Sequence, residues 1–137
     1  MSTIRFADPD GSPPRVGQYS TVAFVPASAA TIHLAGHLPL DADGKLVGAG
    51  DFAAQANAVF ASLARTLEGA GSSLRDVAML RAFVVGEEHL PRFRDARAKA
   101  YEATGVVEPP PATTVLVAGL IGGSLIELDA VAVAAAS

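Results

Sequence analysis

Hydrophobic and polar residues alternate along Thr21 to Val25 and again along Thr31 to Ala35 (T-I-H-L-A), the two-residue period of half-buried strands. Pro26 to Ala30 turns the chain between them, so the pair reads as an antiparallel hairpin. Before it, Ile4 to Ala7 fits a short edge strand that ends in the D-P-D-G-S-P-P loop. From residue 52 the period lengthens. Phe52, Ala56, Val59, Phe60, Leu63 and Leu67 recur at helical spacing and predict an amphipathic helix over Phe52 to Glu68. Asp51 is its N-cap, and Gly69 or Gly71 its stop. After a brief turn at Leu74 to Val77, Ala78 to Val85 (A-M-L-R-A-F-V-V) is a strand with Arg81 on an otherwise apolar stretch. Leu90, Phe93, Arg97, Ala100 and Tyr101 share one face of a second helix, closed by Gly105. A proline run then enters a strand at Thr113 to Val117. The glycine-bearing loop Gly119 to Ser124 leads into a last apolar strand, Leu125 to Ala134.

The order β-β-β-α-β-α-β-β has too few helical crossovers for an all-parallel sheet. It predicts an α+β fold, one mixed sheet with two helices on one face. The other sheet face reads as apolar, from alternate residues of the strands at 21–25, 78–85 and 125–133. A large apolar face marks association, so a homo-oligomer is expected.

Composition narrows the function. The 137 residues fit a single domain spanning 1–137. A net charge of −4 argues against phosphate-backbone binding, so no nucleic-acid partner is expected. There is no cysteine, which excludes thiolate chemistry and cysteine-bound metals and fits a reducing cytoplasm. The first residues lack the pattern of a signal peptide, and no apolar run reaches the length of a membrane span. The three histidines lack metal-ligand spacing, and no metal or organic cofactor is expected. Thr113 and Ser124 lack the setting of a nucleophile, and Gly48-Ala49-Gly50 has no surrounding dinucleotide-binding unit. One carboxylate stands out: Glu127, between Ile126 and Leu128 in the last strand. A lone acid in an apolar strand must be paired, shift its pKa or serve a purpose.

The order of short segments resembles the Rid family (reactive intermediate deaminase, also called YjgF or RidA-like) over nearly the whole chain. G-Q-Y-S (Gly17 to Ser20) is similar to the family's G-P-Y-S, and I-H-L-A-G-H-L-P to its I-x-x-S-G-Q-x-P strand end. The helix with Gln55 and the segment around Leu67 to Val77 match as well. So does the terminal T-T-V-L-V-A-G-L…I-E-L-D-A-V-A. The resemblance implies a chorismate-mutase-like α+β fold and a homotrimer whose sheets form a central barrel, with clefts between subunits. It also implies cofactor-free hydrolysis of small enamines and imines such as 2-aminoacrylate.

One departure bears on the chemistry. Deaminating members carry an arginine in P-A-R-[ST]-x-V, where this chain reads P-P-A-T-T-V and places Ala112. An arginine can clamp a carboxylate bidentately; alanine cannot. The usual 2-aminoacrylate is therefore not the expected substrate, and a non-catalytic ligand-binding or regulatory trimer is the alternative. Endoribonuclease activity, a third label attached to the family, is disfavoured by the acidic charge. Ala35 stands where the family often has serine, and Arg97 near an archetypal asparagine.

The resemblance implies a catalytic role for Glu127, holding or protonating the attacking water; otherwise it is a solvent-facing strand carboxylate. Substrate-binding candidates are Tyr19, His37, Arg97, Ala112 and Thr114. Tyr19 is a cleft-wall phenol or a packed loop aromatic, and His37 leaves its strand toward the presumed cleft. Thr114 would present its backbone N–H and C=O. Arg97 reads first as a helix-surface arginine whose stem covers apolar surface. Its other reading is a replacement for the missing charge, and Arg81 is a second candidate for that role.

Overall fold

The computed structural model describes residues 3–136. Its strands and helices run β1 (Arg5–Ala7), β2 (Val22–Phe24), β3 (Thr31–His37), α1 (Phe52–Gly69), β4 (Val77–Val84), α2 (Leu90–Thr104), β5 (Ala112–Leu116) and β6 (Ile126–Val133). Single 3-10 turns at Leu74–Asp76, Glu87–His89 and Ile121–Gly123 lead into β4, α2 and β6. The fold is α+β: a four-stranded sheet in the order β3-β6-β4-β5 packs one face on both helices. The β4–β5 pair is parallel and the others antiparallel, so the sheet is mixed.

Local chemistry accounts for the helix ends. The Asp51 carboxylate accepts the Ala54 N–H at 3.1 Å, satisfying a donor that the first turn leaves free. Gly105 ends α2 with φ of 73°, a left-handed conformation that costs a side chain energy. All six residues expected on the inner face of α1 are buried. They pack on Leu80, Ala82 and Val84 of β4 and on Ile126, Leu128, Ala130 and Ala132 of β6. Phe60 and Phe93, with ring centroids 6.1 Å apart, join α1 to α2. Among the described residues no helix is long and apolar enough to cross a membrane.

Two expectations about strand partners fail. The predicted hairpin does not form. Instead β2 pairs antiparallel with β1 in a separate two-stranded sheet, where Arg5 lies 3.9 Å from the Phe24 ring centroid. β3 pairs with β6, from Thr31 opposite Val133 to His37 opposite Leu128. Alternation marks a segment as a strand but does not name its neighbour. The uncovered sheet face is also less apolar than expected. It lacks residues 21–25 altogether, and Met79, Phe83, Val115 and Val131 share it with charged groups. Arg81 and Asp129 pair across it, with bonds of 2.8 and 2.7 Å from Nε and Nη2.

Candidate functional site

β5 is an edge strand, and its hydrogen bonds to β4 fix which backbone groups stay free. Leu80 N–H donates to Pro111 C=O at 3.0 Å, and Val117 N–H to Val84 C=O at 2.9 Å. In a parallel ladder, alternate residues bond to the same neighbour. Residues 111, 113, 115 and 117 therefore turn toward β4, while Ala112, Thr114 and Leu116 turn their N–H and C=O to the open edge. The side chains of these three share the helix-facing side with Leu80, Ala82 and Val84, their register partners.

A groove of about 450 Å³ runs along this edge. Its walls are β5, the α2 residues Leu90, Phe93, Arg94 and Arg97, and the loop residues Val16, Gly17 and Tyr19. That size suits a small organic ligand. The loop is held at both ends by one side chain. The Asp8 carboxylate accepts from Arg15 Nε at 2.8 Å and from the Thr21 N–H at 2.9 Å. Those bonds hold the Asp8 carboxyl well below the usual carboxylate range. Farther along, Ser20 donates its hydroxyl to Pro109 C=O at 2.6 Å, tying the loop to the run that enters β5.

Arg97 is not the surface residue first expected. It is 6% exposed, and among the described residues it makes no ion pair or hydrogen bond; its Nε is buried without a partner. The guanidinium carbon lies 5.1 Å from the Phe93 ring centroid. Burial holds its pKa below the ordinary arginine value; nearby Tyr101 acts in the opposite sense and Arg94 in the same one. Nη2 and the Tyr19 ring flank Gly17: a methyl group built there would stand 3.6 Å from Nη2 and 3.7 Å from Tyr19 Cδ1. The Tyr19 hydroxyl accepts the Val16 N–H at 3.1 Å, which leaves its own proton free to be donated. The groove thus gathers Tyr19, Arg97, Ala112 and Thr114.

It does not gather the other two candidates. His37 lies opposite Leu128 on the helix-facing side, bonded through Nδ1 to Ala35 C=O at 2.8 Å and through Nε2 to Thr66 Oγ1 at 2.9 Å. Both ring nitrogens are engaged and the groove lies elsewhere. Glu127 sits on the uncovered face, half-buried, opposite Phe83, with no ion pair among the described residues. Arg81 is occupied by Asp129.

Gly36 is the residue that sequence reasoning missed. From Leu34 to His37, three steps on β3 face two on β6, from Ala130 to Leu128, so β3 carries a bulge. The Glu127 carboxylate lies over the bulge. A methyl built on Gly36 would overlap Oε2 and stand 2.9 Å from Cδ. A glycine inside an alternating strand signals such a close approach, and the A-G-H at the end of β3 carried that signal. Gln55, which the sequence marks only as part of the helix that resembles the family, has a role the sequence did not show. Fully buried, it donates to Gly48 C=O at 3.0 Å and accepts the Leu125 N–H at 2.8 Å, fixing the entry to β6 two residues before Glu127. Among the described residues no group of three or more His, Asp or Glu side chains could hold a metal ion.

Comparison with known proteins places this geometry. The family model described as Endoribonuclease L-PSP matches residues 11–134. The 3-aminoacrylate deaminase RutC of Acinetobacter baylyi is 32% identical over 127 residues, covering 90% of this chain and 93% of that protein. Protein DfrA of Myxococcus xanthus is 32% identical over 124 residues, covering 90% of this chain and 91% of that one. The crystal structure of YyfB from Yersinia pestis, a member of the Rid protein family, superposes with a TM-score of 0.82 at 30% identity, covering 95% of this chain and 98% of that one.

Proposed function

The chain belongs to the endoribonuclease L-PSP family, which is the family of the Rid (YjgF) proteins, and from that premise we propose that it hydrolyses small imines and enamines in clefts between its own copies. The observation that carries the reading is Glu127, a half-buried, unpaired carboxylate on the uncovered sheet face, with room left for it by Gly36 in the β3 bulge. Similarity to a deaminase of 3-aminoacrylate supports the reaction class. Three copies would pack their uncovered faces into a barrel, which brings Glu127 of one copy to the groove of the next. Within one chain Glu127 is not among the groove residues, so a single copy leaves the site incomplete.

The reaction follows from these groups. An enamine first takes a proton on carbon and loses one from nitrogen, becoming the imine. Water then adds to the imine carbon, giving up one proton to Glu127 as the C–O bond forms. Glu127 returns that proton to nitrogen, then takes the remaining hydroxyl proton and delivers it to the same nitrogen as the C=O bond forms and the C–N bond breaks, so that ammonia and a carbonyl product leave. No redox partner is needed. Tyr19 and the Thr114 N–H orient the substrate from the groove side.

A second reading, a trimer that binds a ligand without turning it over, is favoured by Ala112, which cannot clamp a carboxylate. RNA cleavage, named in the family's description, is the weakest reading for a chain of net charge −4. The test is ammonia release from freshly generated 2-aminoacrylate, 3-aminoacrylate and carboxylate-free imines, with the solution mass measured in parallel. Acceleration that disappears in Glu127→Gln supports the hydrolase. No acceleration of any imine, or full activity in Glu127→Gln, removes it. A solution mass of one copy removes the shared cleft.

A further inference from the structure

We infer that Arg97 is the anion-binding group of this groove, so that its ligand is a small organic carboxylate with an apolar tail, held by charge from α2 rather than from β5. A guanidinium buried without an anion is among the costlier arrangements a protein can keep, since its lost hydration is not returned. Arg97 approaches that condition: its side chain is largely buried and unpaired, and its Nε is buried without a partner. Arg94, also in the groove wall, adds charge of the same sign and relieves nothing. The counter-charge is missing from the described chain; in the shared cleft proposed above, Glu127 of the next copy serves the attacking water, which leaves the groove as the way in for an anion that pairs with Arg97.

The surroundings specify what enters. The planar guanidinium fork suits a carboxylate. The Tyr19 proton is available beside it, across Gly17, and the free Thr114 N–H lies on the facing strand edge. Val16, Leu90, Phe93 and Leu116 make the remaining wall apolar, which fits a short hydrocarbon tail. The choice left open between the two arginines is thereby made, because Arg81 already spends its fork on Asp129. Loss of the strand arginine at position 112 then changes the side from which a carboxylate is gripped, and acidic substrates remain within reach.

This inference deepens the reading above but does not need its chemistry. The probes are sodium crotonate and sodium benzoate, with crotonamide and benzamide as uncharged matches, titrated into the intact protein while the ¹H–¹⁵N resonance of Arg97 Nε is followed. The carboxylates are expected to shift that resonance and bind, and the amides not. Arg97→Met should weaken carboxylate binding about 10- to 100-fold, the effect of losing a charge-assisted hydrogen bond, and Arg97→Lys should weaken it less. Tyr19→Phe should weaken it by about 3- to 10-fold. Equal binding of acids and amides, or unchanged carboxylate binding in Arg97→Met, overturns the inference. If the methionine variant does not fold, the resonance and Arg97→Lys decide in the same way. Carboxylate binding without turnover leaves the inference standing and removes the hydrolase. Turnover of an acidic imine with unchanged KM in Arg97→Met does the reverse.

Discussion

Substituting Gly36 by alanine isolates the position of one carboxylate from the stability of the fold. The added methyl would overlap Glu127 Oε2, with Cδ at 2.9 Å and Cγ at 3.4 Å. The colliding atoms are the far end of a flexible side chain, so the strand need not move; the carboxylate must. Swinging Glu127 off its rotamer costs about 0.5–1.5 kcal/mol. Gly36 does not have a positive φ, so alanine adds no left-handed strain. It also restricts the unfolded chain, a gain of about 0.4–1 kcal/mol. The two effects nearly cancel, and the net change should stay within about 1 kcal/mol, a Tm shift of about 4 °C or less. Catalysis has no such compensation. A general acid–base group contributes about 10²–10⁴-fold, and a displacement of about 1 Å can remove 10²-fold. Gly36→Ala should therefore melt like the parent and lose about 100-fold in kcat, approaching Glu127→Gln. The measurements are ammonia release from the best imine substrate and a thermal melt on the same samples. Parental kcat in a normally folded Gly36→Ala protein would refute the assignment of Glu127. Parallel loss of kcat and Tm would show that the glycine serves the sheet instead.

Three further outcomes follow from named contacts. Gln55→Leu should lower stability to chemical denaturation by about 2–4 kcal/mol, because Gly48 C=O and the Leu125 N–H lose their partner together; an unchanged midpoint would mean that solvent replaces both bonds. The Asp8 carboxyl has its pKa depressed in the folded chain, so its contribution is present above the ordinary carboxylate value of about 3.9 and is lost as pH falls through the lower folded value; NMR titration should place its midpoint below that ordinary value, and Asp8→Asn should loosen the Tyr19 loop at neutral pH, read by amide exchange. Ala112→Arg alone should fail to raise activity on 2-aminoacrylate, since it puts a third guanidinium into the groove that already holds Arg94 and Arg97, whereas Ala112→Arg with Arg97→Asn should raise it; a gain from the single change would place Arg97 outside the ligand's reach.

The fold was legible where one segment decides its own state. The helical face from Phe52 to Leu67, the Asp51 cap and the Gly105 stop depend on residues within a few positions of each other, and all three form. Pairing was illegible because partners lie far apart in sequence. β3 follows β2 after six residues, yet it bonds to β6 nearly a hundred residues on. Six connecting residues permit a hairpin without requiring one. The sheet face misled for the same reason. Counting apolar residues on strands 21–25, 78–85 and 125–133 assumed that they share a sheet, and the first of them does not.

The candidate site divides along the same line. Ala112 and Thr114 could be placed through the family resemblance alone, since which backbone groups face an open edge depends on the pairing of β5 with β4. Arg97 could not. Its helical phase put it beside Phe93 and Tyr101, and an arginine at the margin of an apolar face ordinarily extends its charge into water. What buries it is a loop about 80 residues earlier, pinned by Asp8 at both ends and carrying Tyr19 and Gly17 across the open side of α2. Whether a charged side chain is a solvated ornament or a binding group is therefore settled by what lies over it. For Arg97 that cover includes one free phenolic proton and no counter-ion among the described residues. A cover that buries a cation while withholding its anion is the arrangement expected of a site whose ligand completes it.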